Sequence, residues 1–338
     1  MPHTFTRRSM LRVAAGVAVA PAIIGRAQAA PLELKLSTSQ SNDEKYSSGR
    51  VYYDFLVKRL AENKLDQSIK LQFFPDNQLG QEIDVANSLK LGAIDLMSTG
   101  TPIWANLIPT LGVMDLGYMF TSFAQQTKAL DAGVGAKLAQ MVLTGANTRI
   151  VGWAYDFGPR CILSKTPITG PGDLANKKIR TLPNPVITEC LRLMGAAATP
   201  MAFGEVYTAL QAGVLDGLEH NASTIVASKL YETAKYFCPT QHIFTSCCCW
   251  LSDITYNQLP PAVREPFVDA CAKAAVDARA RALAADAEAL EILKQHGVTV
   301  TACDKELFRK RVLPQTDAFV KTHPDAKALV DIIRSTEA

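Results

Sequence analysis

The 338-residue sequence contains none of the common catalytic or cofactor signatures. HExxH, GxSxG, CxxC, CxxCH and GxxxxGK are all absent, and Gly133 with Gly135 lacks the third glycine of a dinucleotide loop. The five histidines, at 3, 220, 242, 296 and 323, include no pair at metal-ligand spacing. Eight cysteines are too few for a disulfide-dense mini-domain. Beyond the first thirty residues no apolar run reaches the roughly 20 residues needed to span a bilayer. A charged fraction of 20% with 48% hydrophobic residues excludes a disordered or collagen-like chain. What remains is a chain long enough to bury a large core, best divided into two lobes.

Charge of one sign is also scarce once it is located. The formal +3 comes from 35 Lys and Arg against 32 Asp and Glu. Residues 1–29 carry Arg7, Arg8, Arg12 and Arg26 and no acid, so without them 31 basic residues face 32 acidic ones, a net of −1. Nothing in that balance points to nucleic acid or an anionic surface. The segment itself has a basic start, an apolar stretch from Val13 to Ile24 and the small-residue end Ala27-Gln28-Ala29. It reads as a secretory signal peptide cleaved near Ala29. Thr6-Arg7-Arg8-Ser9-Met10-Leu11-Arg12 resembles the twin-arginine export motif, which fits better than ordinary secretion. Pro21 and the short apolar run argue against a membrane anchor. A bacterial periplasmic location is expected.

Periodicity predicts an α/β chain. Leu32 to Ser37 alternates as a strand, Tyr52, Phe55, Leu56 and Leu60 share a helical face, and Ile69, Leu71 and Phe73 return to period two. Gln81 to Leu91 reads as a helix stopped by Gly92, followed by a short strand from Ala93 to Ser98. Ile150 to Trp153, Cys161 to Ser164 and Lys178 to Leu182 read as strands, and 205 to 212 as a helix ended by Gly213. Pro261 to Gly297 reads as one Ala-rich helix about 50 Å long, enough to run along both lobes. Ile243 to Leu251 reads as one buried strand. Its Cys247-Cys248-Cys249 is best explained as small core residues, ahead of a disulfide with Cys161, Cys190, Cys238, Cys271 or Cys303, or a metal site. Ligands of parallel sheets bind beyond the carboxyl ends of strands, which directs attention to Ser39, Gln40, Ser98, Thr99, Thr101 and Trp104.

The stretch from 151 to 242 carries ordered motifs: Gly158-Pro159-Arg160, Lys165-Thr166-Pro167-Ile168, Pro171-Gly172-Asp173-Leu174, Lys178-Ile179-Arg180, and Pro200-Met201-Ala202-Phe203-Gly204-Glu205 leading to Ala212-Gly213-Val214-Leu215-Asp216-Gly217-Leu218-Glu219. With Phe74-Pro75-Asp76-Asn77-Gln78-Leu79-Gly80 and Leu91-Gly92-Ala93-Ile94-Asp95, they closely resemble the DctP-type solute-binding proteins of tripartite ATP-independent periplasmic (TRAP) transporters. The resemblance covers most of the chain after residue 30. It implies a two-lobed periplasmic-binding-protein fold with hinge strands and a long helix spanning both lobes. Lobe I would comprise 30–157 and 246–285, and lobe II 158–245 and 286–338.

The resemblance further implies a monomer that performs no catalysis and needs no cofactor, metal or nucleic acid. It would close over a small organic acid, either a sugar acid or a dicarboxylate, and deliver it to a membrane permease. Arg180 would pair with the ligand carboxylate and Arg160 would assist, since a planar guanidinium offers two parallel donors. Phe203 would cover the ligand. Where the family has Asn-Pro this chain has His220-Asn221, and either residue could take the amide's place. In lobe I, Gln40, Glu82, Thr101 and Trp104 would read the distal end. A hydroxyl-rich wall with one indole suits a uronate or aldonate, or an aromatic or hydroxylated acid. A receptor feeding a sensor and a periplasmic cofactor enzyme are the alternatives.

Overall fold

A computed structural model describes residues 30–156 and 158–337. The export signal expected in residues 1–29 lies outside these residues. Two mixed sheets organise the described residues. The first contains β1 (Leu32–Ser37), β2 (Ile69–Phe74), β3 (Leu96–Gly100), β4 (Thr148–Tyr155) and β10 (Ser246–Ser252), in the order β2-β1-β3-β10-β4. The second contains β5 (Arg160–Ser164), β6 (Lys178–Thr181), β7 (Ala197–Pro200), β8 (Gly217–His220), β9 (Tyr236–Ile243) and β11 (Thr299–Val300), in the order β11-β9-β5-β8-β6-β7. β1 is parallel to β2 and β3, as short helical crossovers require. β10 enters antiparallel between β3 and β4.

The chain passes from the first sheet to the second between Tyr155 and Arg160, and returns between Ile243 and Ser246. The expected single strand from Ile243 to Leu251 is therefore two strands belonging to different sheets, separated at Phe244 and Thr245. Both are as buried as strand residues, so hydropathy does not mark the break. The two passages touch, with the Asp156 amide donating to the Thr245 carbonyl at 3.1 Å. Gly158 lies here at φ +112°, and a β-carbon on it would collide with the Asp286 carboxylate.

Each sheet is covered by helices whose apolar residues recur on one face. In the helix Ser48–Glu62, Val51, Tyr52, Leu56 and Leu60 are buried, and Ser47 caps it by accepting from the Arg50 amide at 3.3 Å. The helix Pro261–Gln295 packs on Ser48–Glu62, on β4 and on the helix Ala222–Ala227, so it touches elements of both halves. Its alanines have a structural reason. Ala270, Ala274, Ala275, Ala278, Ala282, Ala285 and Ala289 are buried, and a β-carbon on Gly152 of β4 would stand 3.0 Å from the Ala275 methyl. Small residues on both sides let helix and strand backbone approach closely at interior packing density. The cysteines Cys247, Cys248 and Cys249 are buried free thiols packed as core residues.

Candidate functional site

β5 and β6 each bring an arginine to the same end of the second sheet, and the structure buries both. Arg160 opens β5. Its Nε donates to Glu219 Oε2, and its Nη2 donates to Glu219 Oε1 at 2.8 Å and to the Glu219 carbonyl at 3.1 Å. Glu219 is on the adjacent strand β8, where Cys161 pairs with His220 and Ile162 with Glu219. Burial pushes the Glu219 carboxyl up, but the charge and hydrogen bonds of Arg160 pull it down to about 2. The pair is therefore ionised, and neither charge is left over.

Arg180, on β6, is different. Its Nε donates to the Met201 carbonyl at 2.9 Å, while Nη1 and Nη2 are buried and have no hydrogen-bond partner among the described residues. Burial presses this guanidinium down to about 10, with the charge of Arg160 acting in the same direction and that of Glu219 against it. It still carries its proton at neutral pH. A buried cation with two parallel unpaired N–H edges costs several kcal/mol and is offset by an anion presenting two oxygens.

The neighbours of Arg180 add donors and an aromatic ring. Phe203 lies with its ring centre 5.6 Å from the guanidinium carbon and 5.4 Å from the His220 ring. His220 closes β8, and its Nδ1 accepts from the Asn221 amide at 3.0 Å, which leaves the ring proton on Nε2. Burial and the Arg160 charge hold His220 well below the usual histidine range, so the ring is neutral. Asn221 is the N-cap of Ala222–Ala227. Its Oδ1 accepts from the Thr224 amide at 2.7 Å, and its Nδ2 is buried without an acceptor among the described residues. Both residues at the His220-Asn221 position thus present an N–H.

Between the sheets lies a cavity of about 40 Å³, bounded by Ser39, Gln40, Glu82, Ser98, Thr99, Asp156, Arg160, Leu182, Thr245 and Cys247 among others. A wider recess of about 380 Å³ shares Ser39 with it and is lined by Phe203, Asn77 and Tyr207. The Ser41 hydroxyl donates to the Ala227 carbonyl at 3.4 Å, and Asn77 and Gln81 press against Gly204, so the two walls meet.

Residues 50–322 match the family of bacterial extracellular solute-binding proteins, family 7 (DctP). The chain belongs to this family. The DctP family consists of periplasmic substrate-binding receptors of TRAP transporters. A solute-binding protein of Verminephrobacter eiseniae is 29% identical over 332 residues, covering 98% of this chain and 96% of the relative. Among solved structures, a TRAP periplasmic solute binding protein from Polaromonas sp. JS666 bound to D-erythronate is 29% identical with a TM-score of 0.84, covering 90% of this chain and 99% of that one. One from Sulfitobacter sp. NAS-14.1 with bound β-D-galacturonate is 26% identical, again with a TM-score of 0.84, covering 90% of this chain and 100% of that one. The two-lobed α/β fold follows.

Of the side chains singled out in the sequence, Gln40, Glu82 and Arg160 line this DctP protein's inner cavity and Phe203 the outer recess. Gln40 accepts from Ser48 at 2.9 Å and from the Gly49 amide at 2.8 Å, and Glu82 accepts from Thr99 at 2.6 Å. Thr101 and Trp104 do not line either space, and neither do Arg180, His220 and Asn221, which are likewise buried. The Thr101 hydroxyl donates to Asp115 at 3.0 Å, and Trp104 stacks on Trp250 at 4.5 Å. Burial drives Asp115 up to about 8 against the pull of Thr101 and Arg160. Sequence reasoning gave no role to Glu219 or Asp156. An acid inside the short strand Gly217–His220, which is buried along its whole length, is the signal for the first, because a buried carboxylate demands a cation. Asp156, in the passage between sheets, has no such signal.

Proposed function

We propose that this DctP protein captures a polyhydroxylated carboxylate, a sugar acid of the uronate or aldonate kind, in the cleft between its sheets and hands it to a TRAP-type membrane permease. The observation that carries the proposal is the buried, unpaired Nη1 and Nη2 edge of Arg180. A carboxylate fills both valences at once, whereas a neutral sugar leaves the charge buried. Asn221 Nδ2 and His220 Nε2 add donors at the same end. Glu82, Asp156 and Gln40, with the hydroxyls of Ser39, Ser98 and Thr99, give the opposite wall acceptors for ligand hydroxyls. The sugar acids bound by the Polaromonas and Sulfitobacter proteins have the same division between one carboxylate and several hydroxyls.

The inner cavity is too small for such a ligand, so entry requires the walls to part at Ser41–Ala227 and Asn77–Gly204. Closure then adds contacts from both halves, and binding and hinge motion become one equilibrium. A thermal-shift panel of aldonates, uronates, dicarboxylates and neutral sugars tests the proposal. Ligand at a hundred times its Kd stabilises by about 2.7 kcal/mol. An aldonate or uronate should raise the melting temperature; a rise with neutral sugars alone would overturn the proposal.

A further inference from the structure

We propose that Cys238 and Cys303 are a disulfide site, oxidised by a small-molecule or protein disulfide in the compartment that the family occupies. Cys238 lies within β9 and is fully buried, while Cys303 follows β11 and is part-exposed beside a surface recess that it shares with Thr169, Asp304 and Lys305. The two stretches of chain are held side by side. β11 pairs in parallel with β9, Val300 opposite Phe237, and the Thr301 amide donates to the Phe237 carbonyl at 2.9 Å. Beyond the cysteines, the Lys305 ammonium donates to Gln241 Oε1. These two pins bracket the cysteines and bring the two thiols near enough for each to shift the other's ionisation.

The asymmetry of exposure sets the order of steps. The neighbouring Cys238 thiol and the nearby Lys305 ammonium favour the Cys303 thiolate, whereas Cys238 is pushed the other way. The Cys303 thiolate attacks the oxidant disulfide and displaces one of its sulfurs as a thiol. Cys238 then loses its proton and attacks the mixed disulfide at Cys303, releasing the second sulfur as a thiol. Two cysteine thiols are oxidised, one external disulfide is reduced to two thiols, and the two protons leave with them. The thiols of Cys249 and Cys271 also meet, but both are sealed in the core, where no oxidant reaches them. The bridge would close residues 239–302 into a covalent loop, which includes β10 and the long helix.

The test uses the full chain without its first 29 residues, purified reduced and incubated folded with oxidised glutathione. Alkylation after denaturation should count six thiols without reductant and eight with it, and peptide mapping should join Cys238 to Cys303. The Cys303→Ser variant should show seven thiols in both conditions, and only the wild type should melt higher when oxidised. Eight free thiols in the oxidised wild type, or a bridge joining any other pair, would overturn the proposal. Because no ligand enters the experiment, its outcome is independent of the sugar-acid proposal.

Discussion

Arg160 grips Glu219 across adjacent strands through both its Nε and Nη2, while Arg180, one strand beyond β8, has no such acid at its Nη edge among the described residues. The site therefore holds two buried guanidiniums with one matched carboxylate. Arg160 is neutralised from within, and the Nη edge of Arg180 is left without a hydrogen-bonded partner among the described residues. An incoming anion completes at Arg180 what Glu219 already completes at Arg160.

Substitution at the two positions should have opposite consequences. Arg180→Met removes an unmatched buried cation, so it should leave stability unchanged or raised while weakening carboxylate binding at least about a hundredfold. Glu219→Gln removes the only carboxylate hydrogen-bonded to Arg160 among the described residues and should cost about 3–5 kcal/mol. Urea denaturation and titration calorimetry separate the two. A large loss of stability in Arg180→Met would show that the guanidinium is structurally paired.

Asn221 combines a helix cap with a buried unpaired donor. Asn221→Asp keeps the oxygen that accepts from Thr224 but exchanges the donor for a negative charge. It should keep the helix cap and lose ligand binding. Asn221→Ala loses the cap as well and should cost about 1 kcal/mol. If Asn221→Asp binds the sugar acid as tightly as the wild type, Nδ2 does not contact the ligand.

Asp286, on the long helix, meets the passage at Gly158, and burial together with the Asp156 charge raises it from 3.8 to about 6. The fold holds this proton more tightly than the unfolded chain, so ionisation works against folding. The stability tied to Asp286 is complete below pH 3.8, declines as the pH rises towards 6, and stays lost above it. Asp286→Asn should be more stable than the wild type at pH 7 by on the order of 2–3 kcal/mol and nearly equal to it near pH 4. Urea midpoints at the two pH values check this, and the same difference at both would refute the assignment.

Much of the fold was legible because apolar residues recur at two fixed periods. The helix over 48–62, the strand at 32–37 and the long helix ending before Gly297 follow from that pattern, and the last is closed by Gly297 at φ +76°. Periodicity carries no information about which sheet a strand joins, so the break at Phe244 and Thr245 was hidden. Within the site, Arg180 could be placed through motif resemblance, but the partner of Arg160 could not. Glu219 lies 59 positions away in sequence, and only the pairing of β5 with β8 brings them together. Thr101 and Trp104 show the converse limit. Proximity in sequence to the end of β3 does not decide whether a side chain turns towards the cavity or into the core.

The position of β10 sets a timetable for synthesis. β3 and β4 are both made early, yet neither pairs with the other, because the strand between them is Ser246–Ser252. An N-terminal fragment ending after Tyr155 would carry two unpaired strand edges where the finished protein has none, a hazard for self-association. The first sheet can be completed only after the chain has built most of the second and come back. Neither half is a contiguous piece of the gene, so the protein cannot be divided at the cleft into two separately folding fragments.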